Sequence, residues 1–154
     1  MSRIIALYPP GPMYQRGEER SQGNIENSTA TSIRAANDLG YVSSMLKKNG
    51  HEVKLRDYQT ESLTLEDLLS DTAAFEPDYA FLSITNSTIH DDIRVVQALK
   101  KTRPACRIIL KGALFFDAGT DVLERIDLDE VDILIGGESD FVIADVISAL
   151  EQND

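Results

Sequence analysis

The chain has 154 residues, 42% of them hydrophobic and 27% charged, which suits one folded domain with a substantial core. Its net charge of −11 argues against binding to nucleic acid or to anionic membranes, both of which need clustered positive charge. No apolar run approaches the roughly 20 residues of a membrane span. The N-terminus lacks the layout of a signal peptide, and a single cysteine, Cys106, excludes an internal disulfide, so we expect a cytoplasmic protein.

The first predicted elements are a strand, a long irregular segment and a helix. The uninterrupted apolar run RIIALY (3–8) is typical of a buried parallel strand. Residues 10–37 show no periodicity, and a structureless connection of that length is either functional or disordered. Apolar side chains then recur at helical spacing from Leu39 to Leu46, and Gly50 marks the end of this helix.

The second strand and the second helix have clear local signals. In EVKLR (52–56) the apolar Val53 and Leu55 alternate with basic residues, which predicts a half-exposed edge strand. The helix that follows is predicted to begin at a capping pair formed by Thr64 and Asp67.

The rest of the chain continues the alternation of strand and helix. Thr88 and Asp91 predict the start of the third helix by the same Thr-x-x-Asp pattern. The remaining strands are YAFLSI (79–84), RIIL (107–110) and DILI (132–135), and the remaining helical stripes lie within 65–72, 89–96, 122–126 and 142–150.

This alternation predicts a doubly wound α/β domain with right-handed crossovers. Because the second strand reads as an edge strand, the flavodoxin-like order 2-1-3-4-5 follows. Residues 1–154 are therefore interpreted as a single domain of this Rossmann-like class, interrupted by the irregular loop at 10–37.

The expected ligand site lies beyond the carboxyl ends of the strands, where the strand order reverses between strands one and three. Small residues and hydroxyls in the loops there leave room and offer neutral hydrogen-bond donors for a large ligand of mixed polarity. The turn after strand five looks like a phosphate cradle, but Glu138 and Asp140 would repel an anion. The small and hydroxyl residues at this edge are Ser83, Thr85, Asn86, Ser87, Gly112, Ala113, Gly136 and Gly137.

Several other occupants of this fold are excluded by missing motifs. The chain contains neither the Gly-x-Gly-x-x-Gly of dinucleotide sites nor a glycine loop ending in Gly-Lys-Ser/Thr. A phosphoacceptor receiver would need acids after strand one and an aspartate after strand three, where this chain has YPP (8–10) and SIT (83–85). The tripeptide HDD (90–92) is interpreted as the acid-biased first turn of a helix rather than as a metal site.

In the order and spacing of its segments the chain resembles the cobalamin-binding domain found at the N-terminus of many radical S-adenosylmethionine enzymes. The resemblance covers nearly the whole chain apart from residues 11–37. It implies cobalamin as cofactor and no catalytic residue in this domain. It also implies a radical S-adenosylmethionine domain with an iron–sulfur cluster elsewhere in a longer parent chain. The matching segments are LYPP, LGYVSSMLKKNGHEVKLRD, SLTLEDLL, EPDYAFLSITNSTI, KGALF and VDILIGGESDFVIADVISAL.

The motif after strand two departs from better-known cobalamin domains. Those of mutases and methionine synthase carry Asp-x-His-x-x-Gly, and here Asp57 matches the aspartate. Gln59 stands at the histidine position and Ser62 at the glycine position. An amide is a poor cobalt ligand beside imidazole, so the resemblance implies a histidine-off mode of binding. Lys111 is a second departure, because it replaces the first residue of a Gly-Gly pair after strand four.

The remaining motifs match more closely. SIT (83–85) corresponds to the Ser-x-Thr element after strand three, and GGE (136–138) resembles the Gly-Glu-Gly-type turn of the radical enzymes. No residue is implied as a direct metal ligand. The cofactor-binding residues that the resemblance implies are Pro10, Asp57, Gln59, Ser83, Thr85, Asn86, Gly112, Ala113, Gly136, Gly137 and Glu138.

The sequence leaves two functions to be distinguished. The first is a cobalamin-binding module of a methyltransferase or a ring-forming cyclase. The second is a domain that has kept the fold, lost the ligand, and serves a structural or interaction role; the absent histidine and Lys111 favour it. An open slot beside Gly112 and Gly136 would argue against this second hypothesis.

Overall fold

The computed structural model describes residues 1–11 and 35–152. Five parallel strands form one sheet in the order β2-β1-β3-β4-β5, which confirms the sequence prediction. Most of the irregular loop predicted at 10–37 lies outside the described residues. The strands are β1 (Arg3–Tyr8), β2 (Glu52–Asp57), β3 (Tyr79–Ser83), β4 (Arg107–Lys111) and β5 (Ile133–Ile135), and the helices are α1 (Asn37–Lys48), α2 (Leu65–Phe75), α3 (Ile89–Thr102), α4 (Thr120–Leu123) and α5 (Ile143–Gln152).

Helices cover both faces of the sheet. Successive residues of the central strands point to opposite faces, and both sets are apolar. Helices α1 and α5 pack on one face through Leu39, Leu46 and Ile147, together with Phe81 of β3. Helices α2 and α3 pack on the other face, and Leu68 lies in the core there. The central strands are therefore buried on both sides, as their uninterrupted apolar sequences predict.

Strand β2 is at the edge of the sheet, as predicted. Leu55 is 38% exposed. The basic side chains of Lys54 and Arg56 bind Asp71 of α2, with Lys54 Nζ at 2.6 Å from its Oδ1. Charged side chains along an exposed strand hinder its pairing with another chain.

The two predicted helix starts have different outcomes. Thr64 and Asp67 form the expected capping box, with Thr64 in an extended conformation. Thr88 precedes α3, but its backbone is not extended, and its hydroxyl donates to the side chain of Asp92 at 2.7 Å instead. Asp91 pairs with Arg94. The predicted capping pair at Thr88 and Asp91 is therefore wrong.

The segment between β4 and β5 differs most from the prediction. A short 3₁₀ helix, Ala113–Phe116, follows β4 directly and was not predicted. Helix α4 has only four residues and ends at Leu123, so the predicted stripe at 122–126 is helical only at its start. Within residues 1–11 and 35–152, no helix is both long and apolar enough to span a membrane.

Candidate functional site

Three polar side chains end the neighbouring strands β1, β3 and β4 on the face covered by α1 and α5. Tyr8, Ser83 and Lys111 are the last residues of these strands, and Ser83 pairs in register with Lys111. Side chains alternate between the faces of a strand with a period of two. Because Phe81 and Ile109 lie in the core under α1 and α5, Ser83 and Lys111 point to that same face. Tyr8 is itself part of this core.

Asp38, in the first turn of α1, joins these three strand ends. Its Oδ1 accepts a hydrogen bond from the hydroxyl of Tyr8, and its Oδ2 accepts one from Ser83 Oγ at 2.9 Å. Lys111 Nζ lies 3.9 Å from the same Oδ2. A carboxylate is favoured at this position, because the helix N-terminus carries a partial positive charge. We call these four residues the Asp38 cluster.

A cavity of about 170 Å³ lies next to the Asp38 cluster, between α1 and the loop after β5. Engineered cavities of roughly 150 Å³ hold one benzene molecule, so this one has the volume of a single aromatic ring. Polar and charged residues line this cavity, although the wall is formed mostly by their carbon atoms. The lining residues are Asp38, Tyr41, Lys111, Glu138, Ser139 and Asp140.

The three glycines that were expected to make room for a ligand have different surroundings. A Cβ on Gly136 would lie 2.3 Å from the backbone nitrogen of Phe116, so the 3₁₀ helix after β4 packs directly on this residue. A Cβ on Gly112 would lie 3.1 Å from the side chain of Ile84. A Cβ on Gly137 would meet no atom within 4 Å. Among these glycines, therefore, open space is found at Gly137, whereas the other two serve close packing.

Side chains of the loop after β2 form hydrogen bonds with the backbone of the same loop. Asp57 is buried, and its Oδ1 accepts a hydrogen bond from the Thr60 backbone amide at 3.2 Å. Gln59 is only 6% exposed. Ser62 has a φ of 53°, in the region that favours glycine. Ser62 thus has a left-handed backbone conformation at the position where the family motif has its glycine.

A buried tyrosine anchors this loop to α2. The hydroxyl of Tyr58 donates to Asp71 Oδ2 at 2.8 Å. Burial and this hydrogen bond raise the pKa of Tyr58 above its ordinary value. Partial burial opposes ionisation of Asp71, but hydrogen bonds from Lys54 and Tyr58, with the charges of Lys54 and Arg56, hold its pKa below the ordinary value.

The other predicted site residues lie at the same edge but outside the Asp38 cluster. Thr85 is buried and its hydroxyl is 3.1 Å from that of Ser87, whereas Asn86 and Ala113 are exposed. Pro10 is buried directly after β1. No group of three potential metal ligands occurs in the part of the chain that the structure describes.

Sequence reasoning missed Asp38, Tyr8 and Tyr41 as site residues. Tyr8 has a signal in the sequence. It is the last residue of a strand, and it lies two and four positions after Ala6 and Ile4, which face the same core. The sequence marks Lys111 only as a departure from a motif. No sequence pattern marks Asp38 as a site residue. Its contacts with Tyr8 and Ser83 arise from the way α1 crosses the sheet.

Comparisons with known proteins give one family and a wider group with the same fold. A family described as the B12 binding domain matches residues 32–147. An uncharacterized methyltransferase, PH0819 of Pyrococcus horikoshii, is 25% identical over 114 residues, which are 74% of this chain and 24% of that protein.

Two solved structures illustrate the fold. The radical S-adenosylmethionine methyltransferase TsrM from Kitasatospora setae, with cobalamin and a [4Fe-4S] cluster bound, has 13% identity and a TM-score of 0.68, covering 99% of this chain and 25% of that chain. A CheY-like protein, TadZ, from Pseudomonas aeruginosa has 15% identity and a TM-score of 0.60, covering 99% and 98%. The chain thus spans about a quarter of the length of PH0819 and TsrM.

Proposed function

Because the chain belongs to the family of B12-binding domains, we propose that it binds cobalamin at the carboxyl edge of its sheet. It does so as the cofactor-holding module of a B12-dependent radical S-adenosylmethionine enzyme. The observation that carries this proposal is the position of Ser83. This residue matches the third-strand motif, and it lies at the switch point beside Tyr8, Lys111 and a ring-sized cavity.

The residues at this edge suit the nucleotide arm of cobalamin chemically. The arm contains a benzimidazole with a ring nitrogen, a ribose and a phosphodiester. The hydroxyls of Tyr8 and Ser83 can donate to the ring nitrogen or to a ribose oxygen. The cavity holds one ring, so the complete arm needs Asp38 and Tyr41 to move aside.

The proposed binding mode is histidine-off. Gln59 occupies the histidine position, and its amide is a poor cobalt ligand. When cobalamin is bound, its cobalt supplies a transferable methyl group or supports ring-forming chemistry in a neighbouring domain. In this proposal the domain itself contributes binding and positioning.

The proposed parent is a longer protein that also contains a radical S-adenosylmethionine domain with an iron–sulfur cluster. The lengths of PH0819 and TsrM support this arrangement, since the chain matches about a quarter of each. A methyltransferase is the first choice of parent enzyme, because both of these relatives are described as methyltransferases. A ring-forming cyclase is the second choice.

The direct test is retention of hydroxocobalamin. The purified protein is mixed with hydroxocobalamin and desalted, and its visible spectrum is recorded. We expect about one equivalent of bound corrinoid with a shifted spectrum. Protein that elutes without colour contradicts the proposal.

A matched pair of variants locates the site. Gly137→Leu adds bulk where the backbone faces open space, so the fold should persist while the bound corrinoid is lost. Thr102→Leu places the same leucine side chain on an exposed position at the end of α3, and its corrinoid content should equal that of the wild type. Equal retention by both variants would place the corrinoid elsewhere.

One observation favours the alternative, a domain that has lost its ligand and serves a structural or interaction role. The space beside Gly112 and Gly136 is filled by Ile84 and by the 3₁₀ helix after β4. This alternative predicts that the wild-type protein retains no corrinoid and that Gly137→Leu changes nothing. The retention experiment therefore separates the two functions.

A further inference from the structure

The two hydroxyl donors of the proposed arm site are already engaged within the protein. A hydroxyl has one proton to donate, and an ionised carboxylate only accepts. Tyr8 and Ser83 both donate to Asp38. Either hydroxyl can donate to a bound ligand only after its bond to Asp38 breaks.

Asp38 has both a charge partner and room to move. Lys111 Nζ lies 3.9 Å from Oδ2, and the side chains of Lys111 and Asp38 are 22% and 30% exposed. Asp38 also lines the cavity of about 170 Å³. Its carboxylate can therefore turn away from the two hydroxyls while its charge stays compensated by the ammonium group.

The rest of α1 is fixed, so the displacement is local. Leu39, Val42 and Leu46 are fully buried in the core on this face. Moving the whole helix would expose these apolar side chains to water, which is unfavourable. Rotation of one carboxylate in the first turn leaves that core intact.

We propose that Asp38 competes with the nucleotide arm of cobalamin for the hydroxyls of Tyr8 and Ser83, and thereby sets the affinity for corrinoids that carry this arm. The proposal rests on the cobalamin-binding function proposed above. Removing the carboxylate removes the acceptor to which both hydroxyls donate and enlarges the site. Binding of complete cobalamin should then tighten about tenfold or more, whereas a corrinoid without the arm should be unaffected.

The test is a spectroscopic titration of the purified protein with hydroxocobalamin and, separately, with cobinamide, which lacks the nucleotide arm. The variants are Asp38→Ala, which removes the acceptor, and Asp38→Asn, which keeps its shape with a neutral amide. Glu66→Ala is the matched control, because Glu66 is an exposed acid in the first turn of α2. We expect Asp38→Ala to bind cobalamin most tightly, Asp38→Asn less tightly and the wild type least tightly. The control Glu66→Ala should bind it as the wild type does.

Each other outcome contradicts a specific step. If the wild type binds cobalamin and neither Asp38 variant binds more tightly, the competition does not exist, although the binding function stands. If cobinamide affinity rises by the same factor, Asp38 acts on the corrin ring rather than on the arm. If the wild type binds no cobalamin, the proposed function fails and this inference fails with it. The Asn variant provides the answer if the Ala variant does not fold.

Discussion

Ser83 Oγ at the end of the central strand β3 donates a hydrogen bond of 2.9 Å to Asp38 Oδ2 in the first turn of α1. This bond connects the strand end at the switch point to the helix that crosses above it. Tyr8 and Lys111 extend the contact to β1 and β4. The place where the sheet topology favours a ligand is thus occupied by a polar contact of the protein itself.

The bond between Ser83 and Asp38 should be measurable as a coupling energy in the ligand-free protein. Hydrogen bonds to charged groups contribute roughly 1.5–3 kcal/mol, and partial exposure of Asp38 lowers this to about 1 kcal/mol. We expect Ser83→Ala, Asp38→Ala and the double variant to give a coupling of about 1 kcal/mol in urea unfolding. Ser44→Ala, an exposed position on α1, paired with Asp38→Ala should give none. Strict additivity of Ser83→Ala and Asp38→Ala would contradict the bond.

Substitution by alanine should destabilise the protein at Gly136 but have almost no effect at the adjacent Gly137. Gly136→Ala places a Cβ 2.3 Å from the Phe116 backbone, and overpacking of this kind costs about 1–3 kcal/mol or more. Gly137→Ala meets no atom within 4 Å, so its unfolding free energy should change by less than about 0.5 kcal/mol. Chemical denaturation of both variants checks this. Equal effects would mean that the 3₁₀ helix after β4 does not pack on Gly136.

The sequence predicts the sheet order because the signals for it are local. The edge strand β2 is visible in the alternation of Val53 and Leu55 with basic residues, and the end of α1 is visible in Gly50, which has a φ of 86°. The capping box at Thr64 is equally local. Such features depend on a few neighbouring residues, so a single sequence is enough to find them.

The site is predicted less completely because its contacts are long-range. Asp38 and Ser83 are 45 positions apart, and their contact depends on the crossing of α1 over β3. The role of Gly136 likewise depends on the 3₁₀ helix that precedes it by about twenty residues in the chain. A motif can mark Ser83 as a candidate, but it does not reveal the partner that this residue has in the folded protein.

Asp71 should stabilise the fold at neutral pH and lose this effect in acid. Its folded-state pKa lies below the ordinary 3.8, so its contribution is present above that value and disappears as the pH falls through the folded pKa. We expect Asp71→Asn to lower the free energy of unfolding by roughly 1–3 kcal/mol at pH 7, with a smaller difference near pH 3. Urea unfolding at the two pH values measures this. Asp129→Asn, at an exposed position, is the control, and a difference for Asp71→Asn that is independent of pH contradicts the assignment.

With Gln59 at the histidine position, the cobalt of bound cobalamin should have no nitrogen ligand from the protein. The substitution Gln59→His should supply one. Imidazole is the better cobalt ligand, and histidine is close to glutamine in size, so the substitution suits a position that is 6% exposed. The measurement is electron paramagnetic resonance of the bound cobalamin after reduction to Co(II), because an axial nitrogen splits the cobalt lines into triplets. We expect unsplit lines from the wild type and triplets from Gln59→His. Gln97→His, on the exposed surface of α3, should resemble the wild type. Triplets in the wild-type spectrum would mean that the benzimidazole of the arm still binds the cobalt, which contradicts the binding of this arm at the carboxyl edge of the sheet.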